Sequence, residues 1–185
     1  MNIKFLFPAV LLLSISFQGQ SADISAGKQK SQMCQGCHGI NGNSNNATWP
    51  ILAGQSADYI VKQLTNFKSG KRKGAVMNSM AASLSDSDIK NLAAFFATQK
   101  GKSAGGDPEL AKKGKEKVAM CLGCHGNQAQ GRGQFPKLAG QHPQYLAKQL
   151  TAFKEGTRQG GPMNAIAKNL SDQDIKEISA YLGNL

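Results

Sequence analysis

Every cysteine in this 185-residue chain lies in one of two copies of the same five-residue pattern. Cys34-Gln35-Gly36-Cys37-His38 recurs as Cys121-Leu122-Gly123-Cys124-His125, an offset of 87. Farther on, Pro50-Ile51-Leu52-Ala53-Gly54-Gln55 recurs as Pro136-Lys137-Leu138-Ala139-Gly140-Gln141, an offset of 86. Residues 50–89 and 136–175, aligned at that offset, agree at 23 of 40 positions. Tyr59/Tyr145, Phe67/Phe153, Arg72/Arg158 and Met77/Met163 are among the matches. A duplication of this length describes two similar units of about 80 residues, not a many-repeat solenoid.

The segment between the copies, Lys100-Gly101-Lys102-Ser103-Ala104-Gly105-Gly106-Asp107-Pro108, has Gly, Ser and Pro punctuation and no apolar periodicity. It reads as a linker over 101–108, between a first domain at 23–100 and a second at 109–185. Each copy predicts three main helices joined by long loops. Asp107-Pro108 is a helix start, with Asp23 or Ser25 in the same role in the first copy. A second helix over about 56–69 places Ile60, Leu64 and Phe67 on one face and stops at Gly70. Its counterpart starts at Pro143, presents Leu146, Leu150 and Phe153, and stops at Gly156. The third opens with the capping pattern Ser85-x-x-Asp88, repeated as Ser171-x-x-Asp174. No segment alternates as a strand, so the fold class is all-α.

Residues 1–22 have the form of a cleaved secretory signal. Lys4 supplies a positive start, Phe5 to Phe17 is apolar, and Ser21-Ala22 ends the stretch in small residues. Cleavage there leaves 163 residues and implies the periplasm as the working compartment. No apolar run reaches the roughly 20 residues of a bilayer span, so an integral membrane protein is not expected; peripheral association remains compatible.

Two thiols three positions apart on a helix can add to the two vinyl groups of one haem, and the adjacent histidine then lies under the iron. The sequence therefore predicts two covalently attached haem c groups, on Cys34/Cys37 and Cys121/Cys124, with His38 and His125 as proximal ligands. Competing uses of the cysteines fit less well. Disulfides need no histidine after each pair, and a four-cysteine zinc site keeps its pairs about 15–20 residues apart. For the opposite iron face, Met77 and Met163 are the repeated methionines ahead of the last helix, in a Gly-containing loop. Met80 aligns with Ile166 and is the fallback in the first copy. Met33 and Met120 also repeat, but beside the attachment cysteines, where core packing is the expected role. His142 aligns with Ser56, and helix capping or a surface position is expected of it.

At these residues the chain resembles the dihaem cytochrome c4 family, two tandem class I cytochrome c units. The likeness spans about 23–185 and is carried by Met-Cys-x-Gly-Cys-His-Gly, Leu-Ala-Gly-Gln and Leu-Ser-Asp-x-Asp-Ile in both copies. It implies that the carbonyls of Pro50 and Pro136 accept hydrogen bonds from His38 and His125. It also implies two domains packed face to face, with the haems near their shared interface.

A six-coordinate His/Met iron has no open position for substrate, so one-electron transfer is expected and enzymatic activity is not. The expected role is to carry electrons between respiratory partners, toward a terminal oxidase. The principal alternative is a dihaem electron-transfer subunit of a sulfur- or sulfide-oxidising dehydrogenase or other haem enzyme. A dihaem peroxidase would need an accessible iron. The charge bears on partners: 22 Lys+Arg against 11 Asp+Glu give +11, spread evenly at +5 per domain once the signal is removed. Export and that even spread disfavour nucleic acid and favour acidic redox proteins or membrane respiratory complexes. Lys71-Arg72-Lys73 is a candidate docking patch or a solvated loop, and Arg72 and Arg158 have a second reading as haem-propionate partners. Tyr59, Tyr145, Phe67 and Phe153 are expected to pack haem and core.

Overall fold

The computed structural model describes residues 21–185, so the signal expected over 1–22 lies almost wholly outside the described residues. The first half contains α1 (Ile24–Lys30), a 3-10 turn at Ser31–Cys34, α2 (Gln35–His38), a second 3-10 turn at Ile40–Gly42, α3 (Ala57–Lys68), α4 (Ala75–Ala82) and α5 (Asp86–Thr98). The second half contains α6 (Pro108–Lys117), α7 (Ala119–His125), α8 (Pro143–Lys154), α9 (Pro162–Lys168) and α10 (Asp172–Asn184). Among the described residues the only β feature is an isolated bridge between Arg132 and Phe135. The fold is all-α.

The helix boundaries follow from side-chain caps. Asp23 caps α1 and Asp107 caps α6, the latter with Pro108 in the first turn, where its missing N–H costs nothing. Ser85 and Ser171 accept from the backbone N–H groups of Asp88 and Asp174, whose carboxylates return the bond, completing a capping box on α5 and α10. Lys30 pairs with Asp88 at 3.2 Å; its counterpart Lys117 reaches Asp174 at 2.5 Å and Glu177 at 2.6 Å.

The first and last helices of each half cross closely because a glycine lies at each crossing. A Cβ on Gly27 of α1 would stand 2.1 Å from the Asn91 carbonyl oxygen of α5. On Gly114 of α6 it would stand 2.0 Å from that of Glu177 on α10. Any side chain there forces the helices apart. The cores are built from Ile60, Leu84, Ile89, Leu92, Phe95 and Phe96 in the first half, and from Val118, Leu146, Ile178 and Leu182 in the second.

Two local expectations are corrected. Met77 and Met163 stand on short helices, α4 and α9, and not in loops. Met33 and Met120 are not core residues, being 41% and 57% exposed. Each lies one place before a cysteine on the outward side of the turn.

The segment after α5 is tied to both halves. The side-chain amide of Asn43 donates to the Lys100 carbonyl at 3.0 Å and accepts from Lys102 N–H at 2.8 Å. On the other side, Ser103 Oγ donates to the Gly183 carbonyl at 2.7 Å, and Ala104 N–H to that of Gly140 at 3.0 Å.

Candidate functional site: two histidine centres and the surface between them

Each Cys-x-x-Cys-His turn points its histidine inward and its second cysteine outward. His38 and His125 are buried, Cys37 and Cys124 are exposed, and Cys34 and Cys121 lie between these extremes. None of the four cysteines is paired in a disulfide. Burial, with Cys37 alongside, pushes the Cys34 thiol up to about 11, and burial also raises Cys121. Among the described residues no three His, Cys, Asp or Glu side chains gather as a metal-ion cluster.

The histidines are held by carbonyls. His38 Nδ1 lies 2.8 Å from the Pro50 carbonyl oxygen, and His125 Nδ1 lies 2.8 Å from that of Pro136. A carbonyl can only accept, so Nδ1 carries the proton and the Nε2 lone pair is left free for a metal. Burial lowers both imidazole pKa values, against an opposing contribution from the proline carbonyls, which favours the neutral ring. A neutral, oriented imidazole at the end of a turn that carries two cysteines fits the proximal side of a covalently bound haem.

The methionine helices are anchored by asparagines that sequence reasoning passed over. Asn78, next to Met77, donates to the carbonyls of Phe67 at 2.7 Å and Arg72 at 2.9 Å, and accepts from Gly74 N–H at 2.8 Å. Asn164, next to Met163, makes the same three bonds at 2.8 Å each, to Phe153, Arg158 and Gly160. Met77 and Met163 are half-buried, as is Met80, which shares α4 with Met77.

The two halves meet across a pseudo-twofold surface built from repeated residues. Arg72 donates to Gln63 Oε1 within its own half at 2.8 Å, and to Tyr145 Oη at 3.0 Å and Gln149 Oε1 at 2.8 Å in the other. Arg158 mirrors it, donating to Gln149 at 2.6 Å, Tyr59 at 2.9 Å and Gln63 at 3.1 Å. Each guanidinium also stacks on its own phenylalanine, Arg72 on Phe67 at 4.6 Å and Arg158 on Phe153 at 4.4 Å. Arg72 is therefore committed to the seam and does not join Lys71 and Lys73 in an exposed patch. Tyr59 and Tyr145 present their hydroxyls to the opposite half. His142 is neither a side-chain cap nor a surface residue. It is 8% exposed, and its Nε2 lies 2.9 Å from the Ser44 carbonyl of the first half. The aligned Ser56 hydroxyl donates reciprocally to the Gly133 carbonyl.

Gln55 and Gln141 complete the seam. Gln55 Oε1 accepts from Lys137 N–H at 2.7 Å, and its amide donates to the Lys137 carbonyl at 2.9 Å. Gln141 does the same to Ile51, at 2.9 Å in both directions. These glutamines, with Gln63, Gln149, Asn78 and Asn164, all repeat at offset 86. That repetition was the available signal for them.

The Cytochrome c family model matches this chain twice, over residues 24–100 and 111–185. Cytochrome c4 of Pseudomonas aeruginosa is 39% identical over 193 residues, covering 95% of this chain and 96% of that protein. A protein of Stutzerimonas stutzeri named thiosulfate dehydrogenase electron acceptor is 36% identical, covering 100% and 96%. The crystal structure of reduced cytochrome c4 from Pseudomonas stutzeri superposes with a TM-score of 0.84 at 40% identity, over 89% of this chain and 99% of that one. No helix among the described residues is long and apolar enough to cross a membrane. With the likeness running through both halves and across the seam between them, the chain belongs to the cytochrome c4 family of dihaem electron carriers.

Proposed function

We propose that the chain is an exported, periplasmic carrier that takes electrons one at a time from one respiratory partner and delivers them toward a terminal oxidase. The observation that carries this reading is the duplicated centre: a buried histidine fixed by a proline carbonyl at 2.8 Å, beside an exposed cysteine, in both halves. Cys34 and Cys37 hold one haem in the domain at 23–100, and Cys121 and Cys124 hold the other in the domain at 109–185. His38 and Met77 would hold the iron of the first, and His125 and Met163 that of the second. When bound so, each iron supplies a one-electron Fe(III)/Fe(II) couple at a raised potential, because thioether favours the reduced metal.

The chain's own contribution is positional. Pro50 and Pro136 orient the imidazoles and strengthen them as donors. Asn78 and Asn164 hold the methionine helices against the loops that follow α3 and α8. The Arg72 and Arg158 networks keep the two centres in one fixed relation. The net charge of +10 that remains once residues 1–22 are removed favours acidic partners and weak, fast encounters.

A second reading is favoured by the relative named thiosulfate dehydrogenase electron acceptor, which this chain matches over its full length. Here the donor is a sulfur-oxidising dehydrogenase, and the chain is its dihaem acceptor. One experiment separates the two. The oxidised protein is mixed with a purified thiosulfate dehydrogenase and thiosulfate, and the reduced protein with oxidase-containing membranes. Rapid oxidation by membranes, slowed by salt, supports the first reading; rapid reduction by the dehydrogenase with inert membranes replaces it with the second.

A further inference from the structure

The two glutamines of the repeated Leu-Ala-Gly-Gln segments touch more than the seam. The peptide group that links Pro50 to Ile51 has two polar atoms, and both are taken. Its carbonyl oxygen receives His38 Nδ1–H at 2.8 Å, and its N–H donates to Gln141 Oε1 at 2.9 Å. In the other half, the peptide linking Pro136 to Lys137 receives His125 Nδ1–H at 2.8 Å and donates to Gln55 Oε1 at 2.7 Å. Each proximal histidine is thus joined, through one peptide unit, to a buried side chain of the opposite domain. The glutamines are themselves held. Gln55 Oε1 also accepts from Ser56 N–H at 3.0 Å, and Gln141 Oε1 from His142 N–H at 3.0 Å, while their amide groups donate back to Lys137 and Ile51.

A peptide that donates at its N–H becomes a stronger acceptor at its carbonyl, because the two bonds polarise the same conjugated group in the same sense. A stronger acceptor draws Nδ1–H further toward the carbonyl and makes the imidazole a more basic metal ligand. Basic ligands stabilise the oxidised iron. We propose that Gln55 and Gln141 are positioning residues acting crosswise: Gln55 tunes the haem held by His125, and Gln141 tunes the haem held by His38. The reduction potential of each centre is then set partly by the domain that does not contain it, and opening the seam shifts both. This rests on the reading that His38 and His125 are the proximal ligands.

The test uses the holoprotein and two neutral substitutions, Gln55→Leu and Gln141→Leu. Spectroelectrochemical titration resolves the two haems, which are assigned to domains by nuclear Overhauser contacts between haem methyl groups and protein. Gln55→Leu is expected to raise the potential of the His125-bound haem and leave the His38-bound haem unmoved; Gln141→Leu is expected to do the reverse. Amide hydrogen exchange is expected to accelerate at Lys137 in the first variant and at Ile51 in the second. Movement of the same-domain haem, equal movement of both, or movement of neither overturns the proposal. Should a variant not fold, the wild-type amides decide: exchange of Ile51 and Lys137 at the rate of an unstructured peptide overturns it, and strong protection supports it. Wild-type protein lacking two covalent haems would instead overturn the underlying reading of the site.

Discussion

At the residue scale, the centre of each half is a small set of polar contacts with no redundancy. The Met-Asn pair shows this. The asparagine bonds backbone groups of the last turn of α3 and of the loop after it, so the neighbouring methionine's helix has little freedom to shift. Met77→Leu is expected to abolish the sulfur-to-iron charge-transfer band of one haem, and Met163→Leu that of the other. Met80→Leu should leave both bands intact; loss of a band in Met80→Leu but not in Met77→Leu would reassign the first ligand. Asn78→Ala removes one donor each from the Phe67 and Arg72 carbonyls and the acceptor of the Gly74 N–H, and is expected to cost about 2 kcal/mol, read by denaturant titration.

At the element scale, the helix crossings and the capping boxes carry the folding information. Gly114→Ala should be among the most damaging small substitutions in the chain, because the added methyl meets backbone and not a side chain that can move aside. Overpacking of this kind costs about 1–3 kcal/mol, and thermal unfolding monitored by circular dichroism would read it. Acid should loosen the last helix of each half. Asp88 and Asp174 are held below the ordinary carboxylate range, Asp88 first by its bond from Ser85 N–H and Asp174 first by Lys117. Their folded pKa values are lower than the unfolded value of about 3.9, so the unfolded chain binds protons first as pH falls. The stability they contribute is therefore complete above about pH 5 and lost progressively below about pH 4. Asp174→Asn should flatten that acid limb in a pH series of melting temperatures.

Much at this scale was legible beforehand. Cap residues, stop glycines and periodic apolar faces are local signals, and they marked the starts of α1, α3, α5, α6, α8 and α10. The short methionine helices were not visible because their eight and seven residues carry no side-chain cap and no clear apolar stripe. Met33 and Met120 were misplaced for a related reason. Apolar character argued for burial, but the turn that directs His38 and His125 inward necessarily directs the residue before the first cysteine outward. His142 could not be read from its neighbours, because its partner, Ser44, is 98 positions away.

At the scale of the whole molecule, the duplication produces a seam that a lone domain would have no use for. Arg72, Gln63 and Tyr59 meet Arg158, Gln149 and Tyr145, the same residues 86 positions on, so a single ancestral surface serves both sides of the contact. The alignment showed that these residues repeat but not that they pair with each other; only the packing reveals that. Where the repeat breaks, the seam becomes asymmetric. Lys137 replaces Ile51, and burial lowers the pKa of its amine. The remaining cations spread over both halves, and electron transfer to an acidic partner is expected to slow as salt is raised, in stopped-flow traces between low and physiological ionic strength. A rate indifferent to salt would remove the electrostatic account of docking.

The central claim is that one chain carries two covalently attached haems and therefore two one-electron centres. Acid–acetone extraction followed by intact-mass measurement tests it most directly. The account predicts that haem stays on the polypeptide and that the mature chain gains the mass of two haem groups. Extractable haem, or the mass of only one, would contradict it.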